Sequence, residues 1–245
     1  MALLLLTILQ VGVGLLALPI HALAFVGLWA PICRRLFPPI MTVVSWYYNK
    51  KMREHKKALF GNLGDFARPS GEIALLEIGG GTGANFQFYP PGCKATFVDP
   101  NPNFQQYLRK SLAKNGHVEC QRFLVAPGEE MCQVATASVD VVVCTLVLCS
   151  VHNVDAVLRE IKRVLRQGGG FFFLEHVAAH HSSWSCFFQQ VYQPTWLHLL
   201  SGCHLTRETW KNIEEAKFSE LKLRHIDAPL KWNPARPHII GYAVK

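Results

Sequence analysis

Hydrophobic and polar positions divide this chain into two regimes. From Met1 to Ile32 apolar residues follow one another almost without a break, a run longer than the roughly 20 residues that cross a bilayer core. Beyond Pro69-Ser70-Gly71 the apolar runs are short and bounded by turn residues. Ile73–Ile78, Lys94–Asp99, Gln121–Val125, Val139–Leu146 and Phe171–Leu174 read as strands by length and content. The run at 139–146 is apolar nearly throughout, as in a strand buried on both faces of a sheet. Asn101 with Pro102 predicts a capped helix reaching Asn115. Asn153 predicts a second over Val154–Arg166, with Leu158, Ile161 and Leu165 on one face and Gly168-Gly169-Gly170 at its end. Leu221–Ile226 and Ile239–Val244 read as an antiparallel edge pair. This alternation predicts an α/β fold with a doubly wound, mostly parallel, seven-stranded sheet.

Charge divides the chain at nearly the same points. Residues 1–33 hold no Lys, Arg, Asp or Glu; residues 34–68 hold eight basic and two acidic residues; the rest of the chain is close to balanced, although the whole carries +8. A basic block beside an apolar one suits a membrane surface better than nucleic acid, whose partners carry the charge on the folded domain. The organisation predicted is a hydrophobic membrane anchor at 1–33, a basic amphipathic juxtamembrane linker at 34–68 and a catalytic body at 69–245. A cleaved leader ending at Ala22-Leu23-Ala24 lacks the charged start such leaders need. A single-pass anchor and a hairpin bent at Pro19, with Pro31, Pro38 and Pro39 marking its exit, both remain, and both leave the body in the cytosol. Trp29, Trp46, Tyr47 and Tyr48 suit the headgroup layer, and Tyr47–Phe66 reads as a basic helix lying on it.

The first strand runs into Glu77-x-Gly79-x-Gly81-x-Gly83. Glycines there permit left-handed backbone and leave no Cβ between the chain and a ligand. The spacing is neither the dinucleotide fingerprint nor the phosphate-binding loop. The second strand ends in Asp99, an acid that can accept both ribose hydroxyls of a nucleoside. The eight cysteines form no C-x-x-C and read as buried, reduced thiols, with neither a disulfide frame nor a zinc motif. His176 and His180 are four apart, but no third ligand accompanies them, so no metal is predicted.

The ordered motifs LEIGGGTGANF, FVDPNP, SVDVVVCTLVLCSV and VLRQGGGFFFLEHV, over residues 72–180, resemble class I S-adenosylmethionine-dependent methyltransferases. TGANFQFYPPGC, DPNPNF, LTRETWK and PHIIGYAVK, with the charge-free start, resemble the methyltransferase-like protein 7 family over essentially the whole chain. The resemblance implies a Rossmann-like domain that uses S-adenosylmethionine to methylate small alkyl thiols, among them hydrogen sulfide and drug-like thiols. It also implies an endoplasmic-reticulum and lipid-droplet membrane location with the domain facing the cytosol. By the same resemblance Gly79, Gly81 and Gly83 surround the methionine part of the cofactor, Glu77 is the acid tied indirectly to its amino group, Asp99 binds the ribose, and Glu129 approaches the adenine. Two residues depart from the pattern: Gly80 stands where relatives commonly have Cys, which would loosen the loop, and Gln167 replaces a Pro.

A sulfonium donor leaves the protein to align and desolvate the reactants. A thiol acceptor reacts as the thiolate, and His176, after the fifth strand, is the candidate base, with Thr145, Leu146, Cys149 and Glu175 nearby. Cys149 reads as an inert buried thiol. The aromatic stretch Ser182–Leu200 reads as core, as an acceptor pocket or as a second membrane contact. The expected partners are a small-molecule thiol and membrane lipid, with no nucleic acid and no obligate protein. The competing functions are O- or C-methylation of a lipid or quinone, and cofactor binding at a lipid droplet without turnover.

Overall fold

A computed structural model describes residues 2–231 and 233–245; Met1, the first residue of the predicted anchor, lies outside the described residues. The chain opens with three helices, α1 (Ala2–Leu16), α2 (Leu18–Phe25) and α3 (Trp29–Phe60). The body follows as β1 (Ile73–Ile78), β2 (Cys93–Val98), α4 (Gln105–Leu112), β3 (Val118–Leu124), β4 (Val139–Thr145), α5 (Val154–Val164) and β5 (Leu165–His176). It ends with α6 (Trp184–Leu199), α7 (Thr209–Glu215), β6 (Glu220–Asp227) and β7 (Pro237–Val244).

The seven strands form one sheet in the order β3-β2-β1-β4-β5-β7-β6. β7 runs antiparallel to both its neighbours, and the other pairs are parallel. Strand order reverses between β1 and β4, and the crevice beyond the carboxyl ends at such a reversal is where ligands bind in open α/β sheets. The period of two along each strand divides the core. Leu75, Val141, Val143 and Phe172 face Met52 and Phe60 of α3. Leu76, Val142, Phe171 and Phe173 face Leu158 and Ile161 of α5 and Ile213 of α7. Both faces are covered, which is why these strands read as unbroken apolar runs. At the other end of the sheet the buried carboxylate of Asp140 takes Arg68 Nε at 2.9 Å, Arg166 Nε at 2.6 Å and the backbone N–H of Ala74 at 2.8 Å.

Several elements depart from the pattern in the sequence. β3 begins at Val118 rather than Gln121, because an edge strand with exposed Glu119, Gln121 and Arg122 has no apolar alternation to announce it. The segment after Asn101 is a 3₁₀ turn, Pro102–Phe104, followed by a helix that stops at Leu112. The helix at 154 ends at Val164, since Leu165 is already extended and pairs with Val139. The glycines at 168–170 therefore sit within β5, where the pairing with β4 shifts register, and do not end the helix.

The helix predicted over Tyr47–Phe66 begins at Trp29, ends at Phe60 and passes through Pro38 and Pro39. Pro38 has no N–H for the carbonyl of Arg34, one turn earlier. That carbonyl instead accepts the side-chain amides of Asn101 at 2.8 Å and Asn103 at 3.3 Å. A contact from the β2 loop thus replaces the missing helical bond and docks α3 over the end of β2. Tyr48, Met52, Leu59 and Phe60 then enter the same core as the sheet.

No single helix among the described residues is long and apolar enough to cross a membrane; α1 and α2 together are, but they meet at a bend of 79°. Both lie against α6. Gln10 Nε2 donates to the carbonyl of Gln190 at 3.0 Å, His21 Nε2 is 3.1 Å from Thr195 Oγ1, and Trp29 Nε1 donates to the carbonyl of His198 at 2.7 Å. Leu4, Ile8, Val11, Leu15, Phe25 and Val26 are turned outward, as are Trp184 and Phe188 of α6.

Candidate active site

β1 delivers Glu77 to the sheet's crevice, and the chain turns immediately. Gly79 and Gly81 have φ of +66° and +50°, the left-handed region that favours glycine. A Cβ on Gly79 would lie 2.2 Å from Val147, and one on Gly83 2.4 Å from Phe86. A Cβ on Gly81 would approach nothing closer than the carbonyl of Gly79 at 3.6 Å. The loop is therefore packed from behind at Gly79 and Gly83 and open in front of Gly81. Gly80 does not loosen it: a side chain there would press on Phe97 at 3.0 Å and Leu108 at 3.3 Å, so glycine allows a tighter fit.

Glu77 is 2% exposed. Asn85 Nδ2 donates to its Oε1 at 2.7 Å and to Thr145 Oγ1 at 3.0 Å. Asn85 Oδ1 in turn accepts from Lys56 Nζ at 2.7 Å, and the same ammonium reaches Asn49 Oδ1 at 2.7 Å. An ammonium can only donate, so it fixes which way the Asn85 amide points. Burial pushes the Glu77 carboxyl up to about 7, against the pull of Asn85, and pushes Lys56 down to about 7, with Glu77 opposing. Glu77 Oε2 is buried and outside hydrogen-bond geometry, with the equally buried and unpartnered Tyr89 hydroxyl beside the carboxylate and helping to hold its charge.

Asp99, at the end of β2, is 5% exposed and accepts from Asn101 N at 2.8 Å through Oδ1 and from Gly81 N at 3.2 Å through Oδ2. Its carboxyl is raised to about 6, chiefly by burial. Asp99 thus joins the glycine loop to the β2 turn and stands under the open side of Gly81. Glu129 lies beyond β3, and its Oε1 accepts the backbone N–H groups of His152 at 2.7 Å and Asn153 at 3.3 Å, so one oxygen is committed to the start of α5. An unpartnered buried carboxylate oxygen, a backbone turn with no Cβ before it and a buried acid one strand over suit a ligand with an ammonium at one end and a ribose at the other. The residues present fit S-adenosylmethionine.

The second group lies beyond β4 and β5. Both Glu175 oxygens accept from Val147 N at 3.0 Å, and Cys144 Sγ lies 3.6 Å away, so this carboxylate anchors the post-β4 loop, where Leu146 is held at φ +57°. His176 is 4% exposed; its Nε2 is 2.9 Å from Cys203 Sγ, and its Nδ1 is buried without a partner. Cys203 Sγ lies 3.7 Å from Cys149 Sγ and accepts from Trp196 Nε1 of α6 at 3.2 Å. The S–H of Cys149, followed by His176 and Trp196, holds the Cys203 thiol below its usual range, and the same contact, with burial, pushes Cys149 up. Behind them Tyr48 and His238 Nε2 are 3.0 Å apart, and His238 Nδ1 faces the carbonyl of Arg236 at 3.0 Å.

All eight cysteines are free thiols; Cys120 and Cys132 are exposed, because they lie on the edge strand and in the loop after it, and the other six are buried. The histidine pair at 176 and 180 separates, with His180 Nδ1 on Ser182 Oγ at 2.8 Å, and the fold puts Cys149 and Cys203 beside His176 instead. Sequence reasoning did not find Lys56, Asn49, Asn85 or Cys203. Asn85 lies within the TGANF motif, and Asn49 and Lys56 are two helical turns apart on α3, which are the signals that could have found them.

The Methyltransferase domain family matches residues 76–173. Thiol S-methyltransferase TMT1A of Homo sapiens is 59% identical over 91% of this chain and 91% of its own length. Thiol S-methyltransferase TMT1B of Homo sapiens is 54% identical over 97% of this chain and 98% of its own. The ubiquinone/menaquinone biosynthesis C-methyltransferase UbiE of Bradyrhizobium diazoefficiens is 34% identical over 49% of this chain and 48% of its own. Among solved structures, an O-methyltransferase family protein from Burkholderia thailandensis superposes with a TM-score of 0.60 at 16% identity, covering 86% of this chain and 60% of that one. An S-adenosylmethionine-dependent methyltransferase from Aquifex aeolicus gives 0.50 at 14% identity over 76% of this chain and 88% of its own. At these identities the structures speak for the fold alone.

Proposed function

This chain belongs to the thiol S-methyltransferase family, with S-adenosylmethionine as its methyl donor, and we propose on that premise that its acceptors are small alkyl thiols, hydrogen sulfide and drug-like thiols included. The observation that carries the reading is the cradle at the carboxyl ends of β1 and β2: Glu77 with one buried oxygen free, the open face of Gly81, and Asp99 beneath it.

In this reading Asp99 accepts from the ribose hydroxyls, Glu77 Oε2 takes the amino group, and the glycine loop lets the backbone approach. Lys56 and Asn85 hold Glu77 in place. Glu129 contributes its remaining oxygen on the adenine side. When bound, S-adenosylmethionine supplies a methyl group already activated on a sulfonium. What remains for the protein is alignment, exclusion of water and an ionised acceptor. His176 stands where a base would be useful, but its Nε2 faces Cys203. We assign it a positioning role within that cluster, because a thiol with a pKa of about 8.5 ionises without a strong base. A panel of thiols, phenols and quinols with product detection tests the acceptor class; methylation confined to the oxygen or carbon acceptors would move the activity to that alternative.

The N-terminal helices support a membrane-bound enzyme. α1, α2 and α6 turn apolar side chains outward, and on α3 Trp46 and Tyr47 are exposed too, with Lys50 and Lys51 over those two rings at 5.8 and 5.7 Å. Aromatic and basic residues beside an apolar face suit the headgroup layer. We place the protein on the endoplasmic-reticulum membrane and the lipid droplet, with the body in the cytosol, attached by 1–33 and by the basic stretch at 34–68. Flotation with vesicles tests this: the full chain should float, and a variant with charged residues at Ile8, Val11 and Phe25 should not.

A further inference from the structure

We propose that Cys149, His176 and Cys203 form a site for a thiophilic divalent cation, Zn²⁺ by its chemistry, with three ligands from the chain and a fourth position open. The three residues come from the loop after β4, the end of β5 and the segment after α6, and their ligand atoms all lie within 4.8 Å of one another. Two thiolates and an imidazole are the donor set that Zn²⁺ takes. With Zn–S bonds of about 2.3 Å, two sulfurs of a tetrahedron stand about 3.8 Å apart. Cys149 Sγ and Cys203 Sγ stand 3.7 Å apart. His176 Nε2 is 2.9 Å from Cys203 Sγ, a hydrogen-bonded spacing; with a cation bound by both it would open by roughly 0.6 Å.

Charge and surroundings agree with this assignment. All three side chains are buried. Cation entry sends the protons among them to solvent and leaves two thiolates that cancel the dication. Trp196 Nε1 already donates to Cys203 Sγ at 3.2 Å, the kind of outer hydrogen bond that orients a metal ligand. Arg207 secures the loop that carries Cys149 through the carbonyls of Leu148 at 2.7 Å and Val151 at 2.8 Å. Among the described residues no fourth His, Cys, Asp or Glu joins the group, so the last position is left to a water or small exogenous ligand that enters with the cation. The three ligands are none of the residues that form the cofactor cradle, and the site does not depend on which acceptor the enzyme uses.

The test uses the full chain, reduced and chelator-treated in detergent, with the exposed thiols removed as C120S and C132S. Titration with Co²⁺ should saturate at one equivalent, with thiolate-to-metal absorption in the near ultraviolet and tetrahedral bands in the visible, both abolished by Zn²⁺. C149S and C203S should each weaken binding by at least about 10–100-fold, the loss that outer-sphere changes alone produce, while calorimetry shows S-adenosylmethionine binding unchanged. Absence of stoichiometric binding, or the same spectrum in the C149S/C203S protein, overturns the proposal. X-ray absorption of the Zn²⁺ adduct needs no substitution at the site. Two sulfur neighbours with nitrogen support the assignment; an all-oxygen or all-sulfur shell overturns it.

Discussion

Asn85 holds Glu77 by one oxygen only: its amide donates to Oε1 at 2.7 Å, and Oε2 is left buried outside hydrogen-bond geometry beside the unpartnered Tyr89 hydroxyl. A buried polar atom without a partner costs stability unless a ligand supplies one. Glu77→Gln keeps the shape and removes the charge. A charge-assisted hydrogen bond contributes about 1.5–3 kcal/mol, so S-adenosylmethionine affinity should fall by about one to two orders of magnitude. Calorimetry on folded protein reads this directly, and an unchanged affinity would remove Glu77 from the site.

The same residue sets a pH dependence. Its carboxyl lies at about 7 in the free fold, against 4.5 ordinarily, so between these values the folded chain binds more protons than the unfolded one. Stability contributed by this group therefore falls as pH rises from about 4.5 to 7. Lys56 works the other way: lowered from 10.5 to about 7, it makes stability rise with pH above 7. The pair predicts a shallow minimum near neutrality in the melting midpoint, and Glu77→Gln should make the falling limb shallower, with Asp99 and Glu175, raised by burial to about 6 and about 7, carrying what remains. Because an ammonium binds the ionised carboxylate, cofactor affinity should increase from pH 6 to 7.5, with release of a proton visible in buffers of differing ionisation enthalpy.

Asp99→Ala removes the acid beneath Gly81 together with its bonds to Gly81 N and Asn101 N. Cofactor affinity should drop at least about tenfold while the far-ultraviolet spectrum stays as it was. Asp99→Asn, which retains one acceptor, should fall between. A variant that binds normally would mean that the ribose lies elsewhere.

Asp140 is the stability counterpart. It is fully buried and takes Arg68, Arg166 and a backbone amide, all remote from the crevice. Asp140→Ala would leave the Ala74 N–H without its acceptor and two half-exposed guanidinium groups to solvent, a loss of about 1–3 kcal/mol. Denaturant unfolding should show that loss, and cofactor affinity of the remaining folded protein should not change.

Glu77, the glycine loop and Asp99 could be read from the sequence because their signals are local: turn glycines directly after one strand and an acid at the end of the next. The centre of the sheet was readable for the same reason, since both its faces are covered there and β1, β2, β4 and β5 contain apolar runs, whereas the start of the exposed edge strand β3 was not. What escaped is what only the fold brings together. Lys56 sits among surface charges in the sequence, yet a buried partner, Asn85, draws it inward. Cys149 and Cys203 are 54 residues apart, and although Cys149 lies in the SVDVVVCTLVLCSV motif nothing there points to Cys203. The length of α3 depends on two asparagine amides from the β2 loop that take the carbonyl Pro38 leaves unbonded, a tertiary substitution that no helix propensity contains.

The central claim is methyl transfer to sulfur. The most direct measurement is a pH–rate series on the full chain with S-adenosylmethionine, one small alkyl thiol and its matched alcohol. The account predicts S-methyl product whose rate at low acceptor concentration climbs with pH as thiolate accumulates, shifts with the pKa of the thiol used, and has no measurable counterpart for the alcohol. Equal turnover of the alcohol, or a thiol rate indifferent to pH across the thiol's own ionisation, would contradict it.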